Sequence, residues 1–213
     1  MAFDYCLPIV VFGLLTALES YLPAGLYPYA YIVKIGLVSA SLVWLRGPLA
    51  DIVPSSRVVL PAVMVGLAVT LQWVLVDAAV PYPHLGTRSA FDPFTAIEGT
   101  PLRWAFLGVR LFGLVLVVPV MEELFWRSFL LRYLTRPEFR TLLPGEFSWT
   151  AFWLVAALFA LSHPEWLVAL VTAAAFALLL RWTRSLFAVV VAHAVANAAL
   201  GAYVLATGAW QFW

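Results

Sequence analysis

Apolar residues dominate the chain in long runs, and short polar or Pro- and Gly-containing stretches separate the runs. The strict apolar–polar alternation of membrane β-strands is missing, whereas runs of roughly 20 apolar residues have the length that a transmembrane helix needs. The pattern predicts seven membrane-spanning helices. Their expected bounds are residues 7–21, 26–45, 58–76, 102–134, 147–163, 165–182 and 186–206. We therefore expect an all-α, polytopic membrane helix bundle.

The composition supports a membrane protein and argues against other classes. Of the 213 residues, 64% are hydrophobic and only 11% are charged, whereas a soluble domain has about 25% charged residues. The net charge of +1 and the lack of a basic cluster give no reason to expect binding to nucleic acid. The single Cys6 excludes an intramolecular disulfide. No repeat or linker divides the chain, so residues 1–213 are predicted to form one integral membrane domain.

Basic residues in the connections predict how the bundle is oriented in the bilayer. The second, fourth and sixth connections, which share one side of a seven-helix bundle, carry most of them. These residues are Arg46, Arg57, Arg132, Arg136, Arg140, Arg181 and Arg184. The opposite side has only Arg88 and Arg103. Because cytoplasmic loops are enriched in Lys and Arg, this bias predicts a cytoplasmic N-terminus.

Ionisable side chains inside the apolar runs are the strongest indication of function, because each costs about 2.5–3.5 kcal/mol at the centre of a membrane helix. They are Lys34, Arg110, Glu122, Glu123, Arg127, His163 and His193. Lys34 and Arg110 are interpreted as structural residues that pair with a helix neighbour or extend toward the membrane surface. The other five lie in the second half of the chain and contribute to three motifs.

The first motif is the segment M-E-E-L-F-W-R at residues 121–127. Glu123 and Arg127 are four residues apart on a helix, a spacing that supports a salt bridge. Glu122 is turned about 100° away from Glu123 and cannot share that pairing equally. It is therefore a candidate general base toward water. The alternative interpretation is that all three side chains form one buried ion network between helices.

Two further motifs come from later helices. Phe159 and His163 form F-x-x-x-H, and Pro164 directly after them should bend or end the helix. His193 and Asn197 form H-x-x-x-N and project from one face of their helix. A carboxylate, two imidazoles and a carboxamide supply what amide hydrolysis requires, namely water activation, proton transfer and oxyanion stabilisation.

In their order on three late helices, these motifs resemble the CAAX protease and bacteriocin-processing (CPBP, or Abi) family of intramembrane endopeptidases. The resemblance covers about residues 102–206, the predicted family core. The segment V-V-P-V-M-E-E-L-F-W-R-S-F-L-L-R-Y-L also resembles the exosortase-associated branch, the CAAX prenyl protease-related proteins. The resemblance implies a bacterial inner-membrane protein that acts on a membrane-anchored protein or peptide and is linked to an exosortase sorting system.

The resemblance also implies a role for each matching residue. The implied catalytic residues are Glu122, which activates water, His163, which assists it, and His193 and Asn197, which form an oxyanion hole. The implied supporting residues are Glu123, Arg127 and Phe159. No cofactor is expected, and zinc is the alternative, because Glu122, His163 and His193 also form a zinc-type ligand set. The helical H-E-x-x-H spacing of zinc proteases is absent.

Two other functions fit parts of the sequence. A non-catalytic membrane protein, such as a bacteriocin self-immunity protein, could bind a peptide in the same cavity. A small proton-coupled carrier would also place Glu, His and Arg inside the membrane. However, the sequence lacks the inverted repeat and the paired interrupted helices that are typical of carriers. An intramembrane endopeptidase is therefore the favoured function, and its substrate cannot be derived from the residues.

Overall fold

The computed structural model describes residues 2–86 and 90–212, so Arg88 of the predicted charge bias lies outside it. The described part of the chain is 80% helical and contains no strand. Its main helices are α1 (Ala2–Glu19), α2 (Tyr27–Trp44), α3 (Val59–Ala79), α4 (Thr100–Thr135), α5 (Trp149–Leu161), α6 (Trp166–Thr183) and α7 (Leu186–Thr207). The predicted all-α bundle is confirmed.

The helices differ in whether they can cross a bilayer. Within the described residues, six helices are long and apolar enough to do so, and α5 is shorter. With 13 residues, α5 is about 20 Å long, whereas the hydrocarbon layer is about 30 Å thick. The fifth helix is thus shorter than the predicted range 147–163. It begins after the Ser148 cap and ends at Leu161, ahead of Pro164.

The helices α3 and α7 approach each other so closely that glycine is required at position 66. A Cβ atom on Gly66 would lie 2.5 Å from the Ala192 carbonyl oxygen. One turn later, the Thr70 hydroxyl donates a hydrogen bond to the Ala196 carbonyl at 3.0 Å. Small residues permit such close contacts between membrane helices. This packing fixes the position of α7, the helix that carries His193.

The long helix α4 departs from regular α-helical hydrogen bonding twice. The segments Gly113–Val117 and Leu124–Leu130 are π-helical, so that a backbone N–H reaches the carbonyl five residues back. Pro119, which lacks an N–H, lies between them, and prolines are a common cause of such irregularities. The two π-helical segments flank Glu122 and Glu123.

One end of α4 is anchored by a partly buried ion pair. Arg132 Nη2 donates to Asp51 Oδ2 at 2.8 Å, and the Tyr5 hydroxyl donates to the same oxygen at 2.9 Å. The Ser128 hydroxyl also donates to Asp51. Arg132 is therefore part of the helix packing rather than a solvated residue of the fourth connection.

Candidate active site

The bundle encloses a cavity of about 710 Å³, which is within the usual size range of ligand pockets. Glu122 of α4, His193 and Asn197 of α7, and His163 of the turn after α5 all line it. The chain thus places the four side chains of the candidate catalytic set, which are up to 75 positions apart in sequence, around one space.

Glu123 joins α4 to α7 in the middle of the protein. Its side chain is fully buried, and its Oε1 atom accepts hydrogen bonds from Arg127 Nη1 at 3.0 Å and from His193 Nδ1 at 2.8 Å. The four-residue spacing indicates the first of these contacts, whereas nothing in the sequence pairs Glu123 with a residue on another helix. Because an ionised carboxylate only accepts, His193 Nδ1 carries a hydrogen.

Glu122 and Glu123 are neighbours in sequence but lie in different surroundings. Glu122 is partly exposed and lines the cavity, whereas Glu123 is buried behind the cavity wall. Successive residues of a helix point about 100° apart, which explains how one helix turn presents one carboxylate inward and the other to the cavity. The arrangement gives Glu123 a structural contact and leaves Glu122 facing the space that a substrate would enter.

His163 is oriented by the turn that follows α5. Its Nδ1 atom lies 2.9 Å from the carbonyl oxygen of Phe159 and 3.1 Å from the Ser162 hydroxyl. A carbonyl oxygen only accepts, so Nδ1 carries the hydrogen and the lone pair of the neutral ring is on Nε2. The predicted end of the helix near Pro164 is observed, because α5 ends at Leu161.

The connection after α3 holds this turn in place. The Leu85 N–H donates to the Pro164 carbonyl at 2.8 Å. The Tyr82 hydroxyl of the connection donates to Asp77 Oδ1 in the last turn of α3 at 2.5 Å. Burial and the Asp77 carboxylate raise the pKa of Tyr82 well above its usual value, so the hydroxyl keeps its proton and this hydrogen bond even in alkaline solution. The loop is thereby fixed next to His163.

Aromatic rings surround the buried guanidinium group of Arg127. Its Cζ atom lies 4.6 Å from the centroid of the Phe159 ring and 5.5 Å from that of Phe176. The Phe159 ring also lies 4.6 Å from the His163 ring, and the Phe176 ring lies 5.4 Å from the His193 ring. Phe159 therefore packs beneath the site. Phe176 is a supporting residue that sequence analysis missed, because no polar motif marks its position in the apolar helix α6.

Asn197 makes a contact that the sequence does not indicate. Its Nδ2 atom donates to the carbonyl oxygen of Leu114 at 2.8 Å. Leu114 lies in the first π-helical segment of α4. A carboxamide nitrogen carries two hydrogens, so a second hydrogen of Asn197 is left for other partners.

A second group of charged residues lines the same cavity. Lys34 Nζ donates to Glu19 Oε2 at 2.5 Å and to the Thr16 hydroxyl at 3.1 Å. Thr16, Glu19 and Lys34 are called the Lys34 cluster below. Nearby, Arg110 Nη1 donates to the Tyr27 hydroxyl at 2.9 Å. Lys34 thus pairs with a neighbouring helix, since its two partners belong to α1.

The candidate zinc ligands do not form a metal site. Across residues 2–86 and 90–212, no three His, Cys, Asp or Glu side chains are grouped so that they could hold a metal ion. The absence of a metal cofactor stays a prediction.

The fold and the cavity define the class of protein: a multi-pass helical membrane protein with a buried glutamate–histidine site. Residues 103–199 match the family model described as type II CAAX prenyl endopeptidase Rce1-like. The predicted family resemblance is thus confirmed for a segment that contains all seven candidate site residues. No curated protein and no solved structure shows a significant match.

Proposed function

We propose that this protein is an intramembrane endopeptidase that hydrolyses a peptide bond of a membrane-anchored protein or peptide with water activated by Glu122. The observation that carries the proposal is the pair of adjacent carboxylates. Glu123 is buried against Arg127 and His193, while Glu122 lines a cavity together with two imidazoles and a carboxamide. A purely structural ion pair requires only the first of the two carboxylates.

The proposed reaction starts at Glu122. Its carboxylate takes a proton from a water molecule, assisted by the Nε2 lone pair of His163, and the water oxygen attacks the carbonyl carbon of the substrate. The C=O bond becomes a C–O⁻ bond in the tetrahedral intermediate. When the C–N bond breaks, the proton held at Glu122 passes to the leaving nitrogen. The products are a new carboxyl end and a new amine.

The charge on the intermediate requires hydrogen-bond donors, which His193 and Asn197 supply. The Nδ1–H of His193 is donated to Glu123, so the other ring nitrogen, Nε2, is the one that can face the oxyanion. It donates as the second N–H of a protonated imidazole ring. The second hydrogen of the Asn197 amide is the other donor.

Location and partners belong to the same proposal. We propose a bacterial inner-membrane protein with a cytoplasmic N-terminus, whose substrates belong to an exosortase sorting system. The basic residues of the second and fourth connections, which lie on one side of the membrane whether or not α5 crosses it, and the resemblance of the segment around Glu122 support this assignment. Reporter fusions at either end of the chain test the orientation.

Cleavage of a membrane peptide library by the purified protein, with and without a chelator, tests the proposed activity. We expect discrete products that form equally well in both samples. Peptides that bind without being cut would instead indicate an immunity or other binding protein. Proton flux through reconstituted protein without cleavage would indicate a carrier.

A further inference from the structure

The first π-helical segment of α4 leaves the Leu114 carbonyl without a donor from its own helix. The Val118 N–H donates to the Gly113 carbonyl, five residues back. The next N–H along the chain would reach Leu114, but residue 119 is proline and has none. A buried carbonyl without a partner is costly. The side chain of Asn197 supplies the missing donor at 2.8 Å.

The position of this donor selects the π-helical turn over an α-helical one. If α4 were regular here, Val118 would donate to Leu114, and the carbonyl lacking a donor would be that of Val115, four residues before Pro119. Pro119 therefore leaves one carbonyl without a donor in either conformation. Because Asn197 donates to Leu114, the carbonyl that would have received the Pro119 N–H in the π-helical turn has a partner. Without Asn197, the Val118 N–H would return to the Leu114 carbonyl and the turn to the α-helical register.

The π-helical turn determines which side chains face the cavity. Arg110, Leu114, Val118 and Glu122 all line it, at intervals of four residues. In a regular α-helix, each interval rotates the side chain by about 40°, so Arg110 and Glu122 would point about 120° apart. The extra residue of the π-helical turn reduces the angle between the Arg110 and Glu122 directions by about 100°. The residual rotation of about 20° keeps Arg110 and Glu122 on one face.

We propose that Asn197 is a positioning residue: its hydrogen bond to the Leu114 carbonyl holds the π-helical turn that directs Glu122 and the helix face before it into one cavity. The inference rests on the proposed function of Glu122. It gives Asn197 a role that does not require contact with the substrate and that is separate from donation to the oxyanion.

Replacing Pro119 with alanine tests the inference, because an alanine at this position supplies the missing backbone N–H. We compare wild type, Asn197→Ala, Pro119→Ala and the double variant. Asn197→Ala is expected to raise the unfolding equilibrium constant in detergent by about ten- to hundredfold when Pro119 is present, and clearly less in the Pro119→Ala background. The loss of kcat caused by Asn197→Ala is likewise expected to be smaller in that background, with KM little changed.

Pro8, a buried proline inside α1, provides the matched control. Pro8→Ala should leave both effects of Asn197→Ala unchanged. Equal effects of Asn197→Ala with and without the Pro119→Ala change would overturn the inference, as would coupling in unfolding but not in kcat. If Pro119→Ala folds but Asn197→Ala and the double variant both fail to fold, the inference is also contradicted. Absence of cleavage by the wild type would instead refute the proposed function, while the unfolding measurements still test the hydrogen bond to Leu114.

Discussion

Two groups of charged residues line the same cavity, and they use their carboxylates differently. In the Lys34 cluster, one carboxylate meets one ammonium group: Glu19 and Lys34 are 2.5 Å apart and both are buried. In the glutamate site, two carboxylates are adjacent. Glu123 is held by Arg127 and His193, and Glu122 is directed at the cavity.

The comparison shows that a buried charge is not by itself an indication of catalysis. The Lys34 pair joins α1 to α2 and lies outside the segment 103–199 that matches the family. A charge pair of this kind can stabilise a helix contact without a substrate. What distinguishes the glutamate site is the second carboxylate, together with polar groups from other helices around the same space.

Removing the cavity-facing carboxylate should have the largest effect on activity. Glu122→Gln is expected to abolish cleavage because an amide cannot take a proton from water, while the unfolding free energy stays close to that of the wild type. Single-turnover cleavage and detergent unfolding measure the two properties. Glu138→Gln, a change of the same kind at an exposed position, is the matched control. Cleavage at the wild-type rate by the Glu122 variant would remove the general-base assignment.

Removing the buried carboxylate should impair stability and activity together. Glu123→Gln leaves Arg127 without its charge partner and weakens the contact that orients His193. The expected loss is about 3–5 kcal/mol of unfolding free energy, the usual cost of breaking a buried ion pair. Detergent unfolding measures it. A Glu123 variant as stable as the wild type would contradict the structural role of this carboxylate.

The Lys34 cluster should affect stability alone. Lys34→Met leaves Glu19 buried without its partner, and we expect a loss of up to about 3 kcal/mol. The double change Glu19→Gln with Lys34→Met should recover most of this loss, because no lone charge is left. Both variants should retain cleavage wherever they fold. A folded double variant that no longer cleaves would assign the cluster to the catalytic machinery.

Chelation should have the smallest effect. Because the candidate ligands are not grouped as a metal site in the described residues, a chelator is expected to leave the cleavage rate unchanged. The assay is repeated after prolonged dialysis against the chelator. Activity that disappears and returns with stoichiometric zinc would make Glu122, His163 and His193 metal ligands.

Much of this arrangement follows from sequence, because apolar run length and helical spacing are local properties. Run length predicts the bundle, and the four-residue spacing predicts the contact between Glu123 and Arg127. Pro164 predicts the break that places His163 in a turn. The predicted range of α5 begins too early. Hydropathy includes the apolar Phe147, whereas the helix begins only after the Ser148 cap.

Contacts between distant segments could not be predicted in this way. The pairing of Glu123 with His193 spans 70 residues, and that of Asn197 with Leu114 spans 83. Both depend on how α7 packs against α4. Pro119 in the sequence indicates an irregular helix. Which carbonyl it leaves without a donor depends on the position of the Asn197 side chain in the packed bundle.

Cleavage in 18O-labelled water tests the central claim most directly, that water activated at Glu122 hydrolyses a peptide bond. Wild type and Glu122→Gln are compared in a single turnover on a membrane-anchored peptide that the library screen has identified. The masses of the products are measured by mass spectrometry. We expect the wild type to release a fragment with 18O in its new carboxyl group and the variant to release none. An uncut peptide with the wild type, or labelled product at an equal rate with the variant, would contradict the claim.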